Sequence, residues 1–216
     1  MALDREAAVD RLERLVDTVE SDPMPVPIRE IWILGDLALG LDPVERLDVY
    51  VTKDLLFGRD TDAAEQFVES HGVEGVGKTV DAEWAVSYPE HLRANESGHV
   101  APERCLAAHL IEDGEPIHLE VCNSGFEQNV TQRLEGARAR ETYAEIIDPR
   151  GACVWIDGRR SREAFEKLRS GDYVFPTLEA SFEMLGLGEA DAGTAAEAVR
   201  AYRERQDGVS VRGDVL

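Results

Sequence analysis

Leu34-Gly35-Asp36-Leu37-Ala38-Leu39-Gly40 and, after a short link, Leu47-Asp48-Val49-Tyr50-Val51 are the stretches whose reading decides the fold. The run Ile28 to Leu34 reads as a buried strand ending at Gly35, where the chain turns into a short helical segment through Leu37, Ala38 and Leu39. A second strand follows over Arg46 to Thr52. In it Leu47, Val49 and Val51 alternate with Asp48, Tyr50 and Thr52, and a period of 2 sends the two sets to opposite faces. Pro116 to Cys122 repeats the pattern, with Ile117, Leu119 and Val121 on one face and His118, Glu120 and Cys122 on the other.

Upstream, residues 4 to 20 carry Ala8, Leu12, Leu15, Val16 and Val19 on one stripe at helical spacing, the mark of a docking helix ended by Asp22-Pro23. Downstream, residues 62 to 71 read as helix, 72 to 77 as a loop, and 81 to 93 lean towards helix with Asp81 as a cap. Pro102 suits the first turn of a helix through Leu110. Helices near 125 to 137 and 139 to 147 lead to Asp148-Pro149-Arg150-Gly151, which closes a first unit, residues 1–150. Residues 151–216 read as a small, mostly helical module: a strand-like Ala152 to Ile156, helices near 160 to 169, 177 to 185 and 191 to 205, and a frayed tail from Asp207. The expected fold class is α/β, a mixed sheet with flanking helices followed by this module.

The chain has 216 residues, 44 acidic and 23 basic, for a formal charge of -21, and 43% of it is hydrophobic. That much apolar material excludes a disordered acidic tail. Lys53, Lys78 and Lys167 are the three lysines, so 20 of the basic residues are arginine. An acidic, lysine-poor composition suits a protein kept soluble in concentrated salt, where a Debye length of about 3 Å screens self-repulsion. Residues 151–216 hold 9 basic and 12 acidic side chains, net -3, which leaves -18 for residues 1–150. Carboxylates of the first unit therefore read as hydration before catalysis. Cys105, Cys122 and Cys153 fit neither a disulfide framework nor a CxxC motif, which points to reduced thiols. With no leader-like opening and no apolar run of spanning length, a cytoplasmic location is expected. The charge argues against broad membrane or nucleic-acid association, and no partner or oligomeric state is encoded in a recognisable motif.

Leu34 to Gly40 followed by Leu47 to Val51 resembles the signature of the minimal nucleotidyltransferases of the polymerase-beta superfamily, with a likeness extending over roughly residues 28–125. That family has a hydrophobic residue, then Gly-Ser, commonly Ala-Arg-Gly close behind, and then a strand with two carboxylates one residue apart. Gly35, Ala38 and Gly40 match in place, Asp48 matches the first strand carboxylate, and Glu120 sits where the third is expected. The resemblance implies nucleotide contact at Gly35, Asp36 and Gly40, and carboxylates holding two divalent ions that clamp the oxygens of a phosphoryl transfer. Three departures fall on working positions. Asp36 replaces the serine and puts negative charge where a triphosphate would approach, Tyr50 replaces the second carboxylate, and Leu39 replaces the arginine. What is implied is a degenerate domain, its fold more than its reaction. The composition and order of segments are also similar to those of an uncharacterised haloarchaeal protein family, which supplies no mechanism.

Gly72-Val73-Glu74-Gly75-Val76-Gly77-Lys78-Thr79 satisfies the Walker A letters, yet the segment before it reads as helix and Glu74 would repel phosphate, so a glycine-rich turn is expected. Cys105, His109, His118 and Cys122 invite a zinc reading. His118 and Cys122 stand four residues apart on a strand, about 13 Å, too far for one tetrahedral ion. Arg159, Arg160, Arg162, Lys167 and Arg169 form a basic run, and the helices either side of Gly186-Leu187-Gly188 have a helix-turn-helix outline. Asp191, Thr194 and Glu197 at the start of the second helix would face phosphate badly, while Arg200, Arg203 and Arg205 suit its dipole.

The leading expectation is a non-catalytic relative kept for binding or regulation, with no cofactor. The enzyme alternative is a nucleotidyl transfer dependent on Mg²⁺ or Mn²⁺, with Asp48 and Glu120 as catalytic ligands and Asp36 standing in for the missing carboxylate. A third reading is a regulator touching nucleic acid through the 159 to 169 face.

Overall fold

The alternating segments at Leu47 and Ile117 become the centre of a six-stranded mixed sheet. A computed structural model describes residues 2–22, 24, 26–53, 62, 65, 69, 73–76, 79–82, 99–112 and 114–214. The first part of the chain forms α1 (Arg5–Ser21), β1 (Ile28–Leu34), α2 (Gly35–Ala38) and β2 (Leu47–Lys53). Then come β3 (Val73–Val76), β4 (Thr79–Ala82), β5 (His99–Val100), α3 (Pro102–Leu110), β6 (Ile117–Cys122) and α4 (Phe126–Arg140). The remainder is β7 (Ala152–Ile156), β8 (Arg159–Arg160), α5 (Arg162–Ser170), α6 (Leu178–Met184), α7 (Glu189–Glu204) and β9 (Ser210–Arg212).

The large sheet has the order β8-β7-β1-β2-β6-β9, with β2, β6 and β9 parallel and the pairs from β2 outward through β1 and β7 antiparallel. Register fixes what each face carries. Leu34 lies opposite Asp48, Asp48 opposite His118 and His118 opposite Ser210, while Trp32, Tyr50, Glu120 and Arg212 make the next row. The other face is apolar: Ile31, Ile33, Val49, Val51, Leu119 and Val121 are fully buried in a core shared with α1, α3 and α5. Over the polar face, Phe126 and Val130 of α4 pack on Leu34, Tyr50 and Cys122. Leu134 and Ala137 of α4 join Phe182, Leu187, Ala192 and Ala195 to hold α6 and α7 there.

Local signals explain the element ends. Asp4 caps α1, its carboxylate accepting the Ala7 N–H at 2.7 Å. At the start of α4 the Glu30 carboxylate on β1 accepts the Phe126 N–H at 3.2 Å and the Trp32 indole N–H at 3.1 Å, which ties that helix to β1. The helix expected near 139 to 147 is absent, because α4 ends at Arg140 and Glu141 turns left-handed at φ 51. Residues 207 to 216 were expected to fray, and Ser210–Arg212 instead pairs with β6. The sheet takes strands from both sides of position 150, since β7 pairs with β1 and β9 with β6.

The basic run over β8 and α5 faces the acidic flank of α1. Arg160 reaches Asp17 and Glu20, Arg169 reaches Asp10 and Glu13 at 2.8 and 2.7 Å, and Lys167 pairs with Glu163 on its own helix. These are partly exposed pairs, which orient helices more than they stabilise them. Within the Walker-like letters, Val76 pairs antiparallel with Thr79 in a separate three-stranded sheet of β3, β4 and β5. Val73 to Val76 is thus strand where a loop was expected. Thr79 opens a strand rather than a helix, so the backbone does not offer a helix N-terminus to phosphate. Asp81 and Ala82 belong to β4, and residues 83 to 93 lie outside the described residues. So does most of the helix expected over 62 to 71, although 62, 65 and 69 are helical. Among the described residues no helix is long and apolar enough to cross a membrane.

The core assignment has a direct check by denaturant unfolding in molar KCl. Leu12→Ala, at a fully buried position, is expected to remove about 2 to 5 kcal/mol of stability, while Leu41→Ala, at 49% exposure, stays within about 0.5 kcal/mol of wild type.

Candidate functional site

Gly35 ends β1 in a left-handed conformation, φ +62, and opens α2, so the chain turns back over the polar face at the point where Asp36 begins. A Cβ at position 35 would collide with Asp48 Oδ2 and lie 3.2 Å from Arg203 Nη2. The glycine is therefore required by close approach as well as by φ. Asp36 and Asp48 are 5% and 6% exposed, which overturns the reading of them as hydrated surface carboxylates.

Arginines bring the two aspartates together. Arg203, near the end of α7, places Nη2 at 2.5 Å from Asp36 Oδ1 and 3.3 Å from Asp48 Oδ2. Arg46, just before β2, donates Nε–H to Asp48 Oδ1 at 2.8 Å and Nη1–H to the Arg203 carbonyl at 3.1 Å. The second oxygen of Asp36 accepts the Glu45 N–H at 3.0 Å. Asp48 Oδ2 is buried and makes no hydrogen bond, and Arg203 Nη2 pairs with it at the longer distance of 3.3 Å. Burial alone would weaken the Arg203 charge, but Asp48 and Asp36 outweigh it and hold the guanidinium above its ordinary value.

Glu120 forms a second cluster on the adjoining strand. It is 2% exposed and takes Arg212 Nε at 2.8 and 2.7 Å on its two oxygens, Arg133 Nη2 at 2.8 Å and His118 Nε2 at 3.2 Å. Burial by itself would raise its pKa. The His118 hydrogen bond and the Arg212 and Arg133 charges prevail and hold it below the ordinary carboxylate value. His118 Nδ1 meets Ser210 Oγ at 2.7 Å, and the Arg212 guanidinium lies 4.1 Å from the Tyr202 ring centroid. Tyr50 donates its hydroxyl to the Ser124 carbonyl at 2.6 Å and accepts from Asn129 at 2.8 Å. Burial drives its pKa upward, so it is a neutral hydrogen-bonding group. The Cys122 thiol, pushed up to about 12 by burial and then by Glu120, is no nucleophile at neutral pH.

A cleft of about 60 Å³ lies between these clusters, lined by Gly35, Asp48, Glu120 and Arg212 on one side and by Ile147 and Tyr202 on the other. The cleft itself has room for a few waters. An open groove of about 690 Å³ adjoins it, and Arg46, Arg203 and Gln206 line both spaces. The resemblance implies divalent ions among Asp36, Asp48 and Glu120. As arranged, these residues do not fit such ions, since five of their six carboxylate oxygens accept from, or pair closely with, an arginine, a histidine or a backbone N–H. Among the described residues no group of three His, Cys, Asp or Glu side chains is placed to hold a metal ion. Gly40 stands apart, its carbonyl accepting from Arg5 near Gly171.

The sequence does not show that arginines 46, 133, 203 and 212 meet these carboxylates. Arg203 was assigned to the α7 dipole and Arg212 to a fraying tail. The available signal was compositional, since an arginine bias supplies planar forks suited to buried carboxylates.

A family model described as a family of unknown function (DUF7095) matches residues 4–216. No curated protein and no solved structure matches the chain.

Two outcomes test the site's energetics. Gly35→Ala is expected to lower stability by about 2 to 4 kcal/mol, through left-handed strain and the contact with Asp48, measured by denaturant unfolding. Because the folded-state pKa of Glu120 is depressed from an ordinary 4.5, its stabilisation is fully present above about pH 4.5 and is lost as the pH falls through the folded value. Glu120→Gln should therefore flatten the acid limb of the stability profile and lower stability at pH 7.

Proposed function

The chain belongs to that family of unknown function, DUF7095, and from this premise we propose that it is a non-catalytic binding or regulatory protein on a nucleotidyltransferase-like sheet with a degenerate site. The observation that carries this reading is the neutralisation of Asp36, Asp48 and Glu120 by Arg46, Arg133, Arg203 and Arg212. A phosphoryl-transfer site needs such carboxylates free to gather cations, and here each already has its counter-charge. The protonated Tyr50 in place of a second strand carboxylate points the same way. Nucleic-acid contact through the 159 to 169 face has less support, because Arg160 and Arg169 are engaged by α1. The charge of -21 supports a salt-rich cytoplasm as the setting.

Isothermal calorimetry of the full chain in molar KCl, with ATP, GTP and CTP each titrated in the presence of MgCl₂ or MnCl₂, tests the reading. No heat above dilution is expected for any nucleotide. Tight binding of one of them, abolished in Asp48→Ala, would place the metal-dependent enzyme ahead of this reading.

A further inference from the structure

Asp48 Oδ2, Gln206 Oε1 and Gln206 Nε2 are buried and make no hydrogen bond, and both residues line the small cleft. Asp48, 6% exposed, gives Oδ1 to Arg46, while Arg203 Nη2 pairs with Oδ2 at 3.3 Å. That second oxygen lies over the bare Cα of Gly35, another residue of the cleft wall. Gln206 follows α7 closely. Its backbone N–H bonds the Arg203 carbonyl at 3.1 Å, the same carbonyl that accepts from Arg46, so the network around Asp48 also sets the place of this amide. Tyr202 stands beside it: burial raises the pKa of its hydroxyl, and the Gln206 amide opposes that rise.

What these atoms require is specific. Asp48 Oδ2 and Gln206 Oε1 accept and Gln206 Nε2 donates, so their complement offers two donors and one acceptor. A primary carboxamide carries that set on a single planar head. The size agrees, since the cleft's 60 Å³ is well below the roughly 150 Å³ that encloses a benzene ring, and a few-atom head can enter while the body stays in the adjoining groove. Charge agrees as well. Asp36, Asp48 and Glu120 meet Arg46, Arg133, Arg203 and Arg212, and Asp148 is held by Arg150, so no negative excess draws a cation. An anion would set its charge against Asp48 Oδ2, which a neutral head avoids. Leu34, Ile147 and Val199 make apolar walls, against which separate waters find few partners and one amide body packs.

We propose that the cleft is a recognition site for a neutral primary carboxamide, whose carbonyl and one N–H pair with the Gln206 amide and whose other N–H is accepted by Asp48 Oδ2, with every arginine left in place. The rest of such a ligand extends into the groove that Arg46, Arg203 and Gln206 also line. This deepens the binding reading and rests on it, naming the ligand chemistry that an arginine-neutralised site can take.

Propanamide is titrated into the full chain in molar KCl and followed by proton–nitrogen correlation spectra, with N,N-dimethylpropanamide and propanoate as matched controls. The Gln206 side-chain signal, identified by its loss in Gln206→Leu, is expected to shift saturably with propanamide and with neither control. Followed on the Gly35 and Asp48 backbone signals, Gln206→Leu should bind propanamide about tenfold more weakly than wild type, having lost two hydrogen bonds. The absence of a saturable shift with propanamide means that the cleft takes water only and overturns the proposal. An equal response to either control, or undiminished binding by Gln206→Leu, overturns it too. Should that variant fail to fold, the three compounds compared on wild type still decide: saturable binding of propanamide alone supports the proposal. Failure of the non-catalytic reading is seen separately, as nucleotide binding by wild type.

Discussion

A carboxylate buried on a helix-covered sheet face has to be met by positive charge, and Glu120 imposes that condition most severely. Taking an ion out of water costs several kcal/mol unless partners restore what is lost, and removing one partner from such a pair typically costs about 3 to 5 kcal/mol. Arg133 must therefore project from α4, Arg212 must be brought in by β9, and His118 must turn to Glu120 on one side and Ser210 on the other. The Asp36 and Asp48 pair repeats the requirement one row along the strands. Helices α4 and α7 can cover this face because they bring arginines with them.

The composition acquires a second meaning in that setting. Concentrated salt screens exposed pairs such as Arg169 with Asp10 and Glu13, and leaves buried ones nearly untouched. A guanidinium is more weakly hydrated than an ammonium and offers several donors in a fixed plane, so it loses less on burial and satisfies more oxygens. The shortage of lysine and the supply of buried arginine suit the same chain for different reasons, one at the surface and one beneath α7.

The central strands were legible because their signal is local. Alternation in Leu47 to Thr52 and Ile117 to Cys122 is a property of adjacent residues, and it sets Asp48 and Glu120 each on the polar face of its own strand. Gly35 was legible as a turn for the same reason. The partners were not, since Arg212 stands 92 residues from Glu120 and Arg46 donates to a carbonyl 157 residues away. β9 is three residues long, too short for periodicity, and exists through its pairing with β6. The excess of acid also misled, because an average over residues 1–150 says nothing of which carboxylates a helix will later cover.

The parallel edge formed by Ser210–Arg212 has a kinetic consequence. Until that segment closes a loop of about 90 residues onto β6, the inner face of the sheet holds a carboxylate lacking one of its two guanidinium partners, and α4 cannot settle fully over it. Pairings of such sequence separation form late and slowly. The order of assembly follows: the apolar face can condense early around β1, β2 and β6, while the charged face waits for the most distant strand.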